Sequence, residues 1–415
     1  MPDLNDLSAA LQMLTEWPGM LWPDFQLAAI PLVVWDGVQT TLFQSVAAPS
    51  EDWKRRQGGW ALPHRHSALV AHTAVTLEDG TDAAALLLND LPGSVTVLEL
   101  AALIAHEAFH VHQLNHRPER WQADELAVFG YPLTAPVLAA RRLETLALNS
   151  ALSEIGGWER RAAEALRWRQ QRFNLLSPAQ FELERGLERR EGLAQFVESK
   201  VSGFLPVLPL PDFAPEAVRL RCYGTGAALA HLLDRSGEWQ QAFMDTDQSL
   251  DELLSAWLVG WPPETPTSEL IAAAHAEATL DADQLQVKQL QMMQAVLACP
   301  GQRLTLSSGK PLWPQGFDPQ NISELGNGRV LHRRYLKFGN AQVSGEALGQ
   351  PVLTEAAGVH PLQYGFSGLT VPGLKSARLQ KEADALHFEA TGFQLRISGV
   401  AEVTPTPEGW DIRLP

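Results

Sequence analysis

The residues best suited to do chemistry are concentrated in His106-Glu107-Ala108-Phe109-His110. Two histidines four positions apart share one face of a helix, and two neutral imidazoles on a rigid element are ligands that a zinc ion accepts. The glutamate one step beyond the first histidine can reach a metal-bound water. Such a water has a pKa near 7, so Glu107 can take its proton as general base. This chemistry requires a helix. Thr96-Val97-Leu98-Glu99 reads as a capping box, and the stretch from Val97 to Leu114 contains neither proline nor glycine. Val97, Leu98, Leu100, Ala101, Leu103, Ile104 and Ala105 make that helix strongly apolar, so it is expected inside the protein with both histidines at a cleft.

A further helix is expected to start at Ser177-Pro178-Ala179-Gln180, with Ser177 as cap, and to run through Phe181, Glu184, Glu188, Glu191, Ala194 and Glu198. Glu184, Glu188 and Glu191 fall on one face. They read either as a solvated acidic face balanced by Arg185, Arg189 and Arg190, or as the source of a third metal ligand. Gly192 inside this helix costs about 1 kcal/mol relative to alanine. Close approach to the metal-binding helix would account for it. Glu125 and Glu144, between the two helices, are further candidates for the third ligand, as is Glu188. A tetrahedral intermediate also needs a hydrogen-bond donor besides the metal. Tyr223, in Tyr223-Gly224-Thr225-Gly226, and His231, eight residues along the same expected helix, are the candidates for it.

His106 to His110 followed by Glu191-Gly192-Leu193-Ala194 resembles the HExxH…EGxA arrangement of the gluzincin metallopeptidases, the thermolysin-like and M1-aminopeptidase-like enzymes, over roughly residues 65 to 235. The resemblance implies an α+β zincin-like catalytic domain that hydrolyses peptide bonds in a peptide or protein substrate. Zinc would be held by His106, His110 and Glu191, with Glu107 as general base. Tyr223-x-x-Gly226 resembles the downstream motif that supplies the oxyanion donor, and His231 is the other residue able to fill that role. Leu69-Val70-Ala71-His72-Thr73 would be the edge strand that pairs with substrate backbone. The interval from His110 to Glu191 is longer than the group's common spacing, and the Gly-x-Met-x-Asn strand motif of M1 enzymes has no counterpart. A competing reading is a catalytically inactive zincin-like scaffold that serves as an interaction or regulatory protein; the intact Glu107 speaks against it.

Composition narrows the remaining classes. The chain has 415 residues, 45% hydrophobic and 19% charged, which is ordinary globular usage. Acidic residues outnumber basic ones, 48 to 32, and the net charge of −16 opposes binding to nucleic acid or to anionic membranes. Cys222 and Cys299 are too few for a disulfide framework and fit the cytoplasm, as does an N-terminus without a signal-like pattern. No C-x-x-C, P-loop or G-x-G-x-x-G motif supports redox, ATP or dinucleotide chemistry. His64 and His66 read as surface loop residues, and His112 and His116 as neighbours that point away from the metal face.

The expected fold is α+β. Ile30 to Trp35, Ala68 to Leu77 and Ala83 to Leu88 read as strands, Val95 to Cys299 as helical. Val330 to Phe338, Leu386 to Ala390, Phe393 to Ile397 and Trp410 to Leu414 read as short strands. Residues 1–300 would form the catalytic domain, with a mixed sheet in 1–92 and the helical zinc-site region in 93–300. Residues 301–415 would form a β-rich accessory domain.

Overall fold

A period of two in the strands builds the N-terminal sheet. Leu32 and Val34, with Ala84 and Leu86, face one hydrophobic cluster; Val33, with Ala83, Ala85 and Leu87, faces another. The computed structural model describes residues 2–56, 58–318, 321–357, 359–382 and 385–415. Its strands are β1 (Leu32–Trp35), β2 (Thr40–Phe43), β3 (Lys54–Arg56), β4 (Gly59–Leu62), β5 (Thr73–Thr76) and β6 (Asp82–Leu87), in the order β3-β4-β2-β1-β6-β5. β1 and β6 run parallel and the other neighbours antiparallel, so the sheet is mixed. β5 and β6 form the expected hairpin. The edge strand covers Thr73–Thr76, however, and not Leu69–Thr73: residues 70–72 are bends, with Leu69 drawn into the core.

The helices of the same unit are α1 (Leu4–Thr15), α2 (Val97–Asn115), α3 (Ala135–Ser153), α4 (Trp158–Phe173), α5 (Pro178–Leu187), α6 (Leu193–Ser202), α7 (Val218–Ser236), α8 (Gln240–Asp245) and α9 (Leu250–Trp257). α2 lies on the face of the sheet that carries Ala84 of β6, a small side chain that permits close approach, and α6 packs on α2 and α7 on α6. α5 and α6 are one continuous rod interrupted by a π turn over Glu188–Gly192. Its start is the expected one: Ser177 N–H donates to Gln180 Oε1 at 2.9 Å, and Pro178 is the first helical residue.

The chain divides into two units, Met1–Asp124 with Pro136–Ala274 and Glu125–Ala135 with His275–Pro415. The division falls at residue 274 and not near 300, because the long helix α10 (Ser268–Leu297) ends with Met292, Met293, Val296 and Leu297 covering Leu325, Leu331 and Leu353 of the second unit. That unit is a twelve-stranded, mostly antiparallel sheet among the described residues. Its long strand Gln302–Phe317 pairs with both Tyr335–Gly339 and Phe366–Leu374. Val330 to Phe338 is two strands, Arg329–His332 and Tyr335–Gly339, which take separate places in the sheet. Among the described residues no helix is long and apolar enough to cross a membrane.

Gly192 has a packing reason, and it lies on α7 and not on α2, the helix of His106 and His110. A Cβ at Gly192 would stand 2.6 Å from the Gly226 Cα and 3.1 Å from the Cys222 carbonyl oxygen. Backbone meets backbone there, so no side chain can move aside. Gly192→Ala should therefore lower stability by about 1–3 kcal/mol in thermal unfolding, despite the helix propensity it gains. Gly156→Ala, where nothing lies within 4 Å, is the control. Equal melting temperatures for the two variants would show that α6 and α7 are not in backbone contact.

Candidate metal centre

The α2 helix is fixed at its start by the reciprocal cap: Glu99 N–H donates to Thr96 Oγ1 at 3.2 Å and Thr96 N–H to Glu99 Oε2 at 2.7 Å. With core on nearly every side of the helix, His106 and Glu107 are buried at 7% and 6% exposure. The two ring nitrogens His106 Nε2 and His110 Nε2 stand 3.2 Å apart, and Glu191 Oε2 lies 3.3 Å from His110 Nε2. One ligand atom from each of the three residues falls within 4.8 Å of the others, so the group could hold a metal ion.

The hydrogen bonds on the far side of each ring decide what faces inward. His106 Nδ1 is 2.8 Å from Glu198 Oε2, a carboxylate oxygen that can only accept, so Nδ1 carries the proton. His110 Nδ1 is 2.8 Å from Gln113 Oε1. The Gln113 amide is oriented by its own nitrogen, which donates to the Arg189 and Arg190 carbonyls at 3.3 and 2.9 Å, so its oxygen is the acceptor and His110 Nδ1 also carries the proton. As neutral imidazoles, both rings then turn bare Nε2 lone pairs toward each other and toward a carboxylate oxygen. Three lone pairs at this distance repel unless a cation lies between them. Donors bound to one tetrahedral ion at about 2.1 Å stand about 3.4 Å apart, close to the two spacings from His110 Nε2. The donor set therefore fits a divalent metal.

Glu191 reaches this point through the π turn. In a regular helix it would share a face with Glu184 and Glu188; the wider turn separates it from them. Glu188 is buried behind the site, held by both terminal nitrogens of Arg169 (2.6 and 2.7 Å) and by the Thr225 hydroxyl at 2.6 Å. Glu184 pairs with Arg172. The solvated acidic face is thus absent: Glu184, Glu188 and Glu191 are 1%, 1% and 5% exposed. Burial pushes the Glu191 carboxyl up. With a proton in place of a metal ion on His110 Nε2, the hydrogen bond and charge of that ring, the bond from Tyr223 and the charge of Arg190 outweigh this and hold it well below the usual carboxylate range. It is an anion, as a ligand must be. Its second oxygen, Oε1, accepts from Arg190 Nε at 3.1 Å and Arg219 NH2 at 2.9 Å.

The other candidate ligands lie elsewhere. Glu144 is fully buried among Arg169, Arg172 and Arg221 at 2.8–3.1 Å. Glu125 begins a short 3-10 turn of the second unit and takes no part in the cluster. Glu107 is buried and feels the charges of His106, His110, Glu191 and Glu198; burial raises its carboxyl above the usual value. Tyr223 stacks toward His106, with ring centroids 6.4 Å apart. Its hydroxyl bonds Glu191 and Arg219, and burial with the Glu191 charge pushes its pKa up to about 12, so it stays a donor. His231, on the same helix, turns instead to Ser199 Oγ at 2.6 Å and to the edge of Phe196, and burial lowers it to about 4. The structure thus brings Tyr223 to the cluster and leaves His231 in a packed polar contact.

His66 finds a partner that linear distance hid: Glu78 Oε2, 2.8 Å away on the facing hairpin. His64 is exposed, and His112 stacks on His116 at 4.1 Å against Phe109. Sequence reasoning assigned no role to Glu198, Gln113 or Arg219, and read Arg190 only as a counter-charge to the acidic face. Gln113 follows His110 by one helical turn, a spacing at which a partner could have been sought, and Arg190 is the neighbour of Glu191 in the chain; Glu198 and Arg219 depend on how the helices cross. Comparison with family models, curated proteins and solved structures found no match.

His106→Ala, His110→Ala or Glu191→Ala should each abolish stoichiometric binding of a divalent transition metal in equilibrium dialysis, with Glu125→Ala unchanged. Glu198→Gln and Gln113→Leu should weaken it by about 10–100-fold, because each loosens a ligand without removing it. Full binding in Glu191→Ala would exclude Glu191 as third ligand.

Proposed function

We propose that this chain is a gluzincin-type zinc peptidase. One observation carries the reading: one ligand atom from each of His106, His110 and Glu191 converges in a buried site beside the Glu107 carboxyl. Two imidazoles and a carboxylate suit zinc, which when bound would supply Lewis acidity and a water acidic enough to ionise near neutral pH. Every other part of the mechanism belongs to the chain. Glu198 and Gln113 fix the tautomers of the two histidines. Glu107 takes the proton of the attacking water as its oxygen adds to the scissile carbonyl carbon. The same carboxyl then gives that proton to the departing nitrogen as the C–N bond breaks, leaving a carboxylic acid and an amine. The Tyr223 hydroxyl, un-ionised at neutral pH, donates to the oxygen on which negative charge develops.

Glu107→Gln should retain one equivalent of zinc and lose hydrolysis by about 10²-fold or more on a peptide that the native protein cleaves. Tyr223→Phe should lower kcat by about 100-fold with little change in KM, because its bond strengthens only in the transition state. Near-native turnover by Glu107→Gln would refute the mechanism. A zinc-loaded native protein that cleaves nothing in a mixed peptide library would favour the inactive scaffold.

A further inference from the structure

Away from the metal centre, one cleft of the first unit carries an unmatched charge in its wall. It lies between α4 and α9 and encloses about 470 Å³, within the range that holds a small ligand. Ala163, Leu166, Arg167 and Gln170 fall at i, i+3, i+4 and i+7, so α4 turns one face to it. The stack of Trp158 on Trp257, with ring centroids 5.2 Å apart, sets the start of α4 against the end of α9. Arg169, near the end of α4, acts on Asp251 at the start of α9, so the two helices border the cleft in opposite directions. Toward the start of α4 the wall is apolar, with Leu258 and Trp261. Toward its end the wall is charged, with Arg185, Asp251 and Glu252.

The charged end is closed on itself. Arg185 pairs with Asp251 at 2.9 Å and with Glu252 at 3.1 Å, and Glu252 also accepts from the Ser249 N–H at 2.9 Å. Arg167 is different. Glu164, one turn before it, is taken by Arg161 at 3.1 Å. The Arg167 guanidinium lies 5.1 Å from the ring of its neighbour Trp168 and makes no hydrogen bond or ion pair among the described residues; its Nε is buried without an acceptor. This holds in a chain where acidic residues outnumber basic ones, 48 to 32. The planar guanidinium fork matches a carboxylate better than any other side chain does. Asp251 and Glu252, in the same wall, would repel a phosphate or other multiply charged anion, which favours a single charge. Leu258 and Trp261, the latter 44% exposed, add apolar surface for an uncharged body.

We propose that this cleft binds a small organic monoanion, a carboxylate on an apolar body, with Arg167 holding the carboxylate and Leu258 and Trp261 flanking the body. None of these residues belongs to the metal cluster, so the site does not rest on the peptidase reading.

The test titrates the full chain with para-fluorophenylpropionate and, separately, with its neutral amide, and follows the fluorine NMR signal of each ligand. The acid should bind saturably and about 10–100-fold more tightly than the amide. Arg167→Gln should remove that preference, and Arg167→Lys should keep part of it. Because Arg167 holds no ion pair or hydrogen bond among the described residues, both variants should melt at the native temperature. Trp261→Ala should weaken acid and amide by a similar factor and leave their ratio unchanged, because it removes apolar contact alone. A chelator should not change the titration, which separates this cleft from a carboxylate bound to a metal ion. The proposal is overturned by absence of saturable binding of the acid, by equal affinity for acid and amide, or by a preference that survives Arg167→Gln or disappears with the chelator.

Discussion

Backbone contact between two glycines sets where the chemistry can happen. Gly192 and Gly226 meet without side chains between them, and α6 and α7 cross at that point. One residue before the contact stands Glu191; three residues before its partner stands Tyr223. The crossing therefore delivers Glu191, the proposed third ligand, and the Tyr223 hydroxyl together, with Arg219 one turn away on α7. A methyl group at the contact would force the helices apart by more than the slack in a metal–ligand bond. The π turn is part of the same arrangement, because it rotates Glu191 out of the row of Glu184 and Glu188.

Behind the contact lies a fully buried ionic lattice. Glu144 is shared by Arg169, Arg172 and Arg221; Arg169 continues to Glu188, Arg172 to Glu184, and Arg221 to Asp212, which also holds Arg141. Burial works against the Glu144 anion, and the three arginines outweigh it, holding its carboxyl far below the usual range. Such pairs add little net stability compared with apolar packing, yet loss of one member leaves buried charge uncompensated at about 3–5 kcal/mol. The lattice thus fixes α3, α4, α5 and α7 in one register. Three acidic residues that could compete for a cation are occupied by arginines in this way, which leaves Glu191 as the carboxylate that faces the histidines.

Much of this was legible in the sequence, for reasons that are local. The capping box Thr96–Glu99 and the apolar run behind it defined α2, and i,i+4 spacing put His106 and His110 on one face. Ser177-Pro178 marked the start of α5. The α+β order of mixed sheet, helices and β-rich unit followed from the change in periodicity. What escaped notice was set by crossings. The burial of Glu184 and Glu188 needed arginines from α4, and the contact of Gly192 needed α7. The shift of the edge strand to Thr73–Thr76 came from Leu69 turning into the core, which a run of apolar residues does not distinguish from a strand. The sequence suggests a domain boundary at residue 300, whereas the end of α10 already belongs to the second core.

The central claim is that His106, His110 and Glu191 share one zinc ion. A crystal of the zinc-reconstituted protein, with diffraction recorded on both sides of the zinc absorption edge, tests it most directly. The account predicts a single strong anomalous peak in the first unit, about 2.0–2.2 Å from His106 Nε2, His110 Nε2 and one oxygen of Glu191. A peak elsewhere, or one held by the two histidines with Glu191 turned away to its arginines, would contradict it.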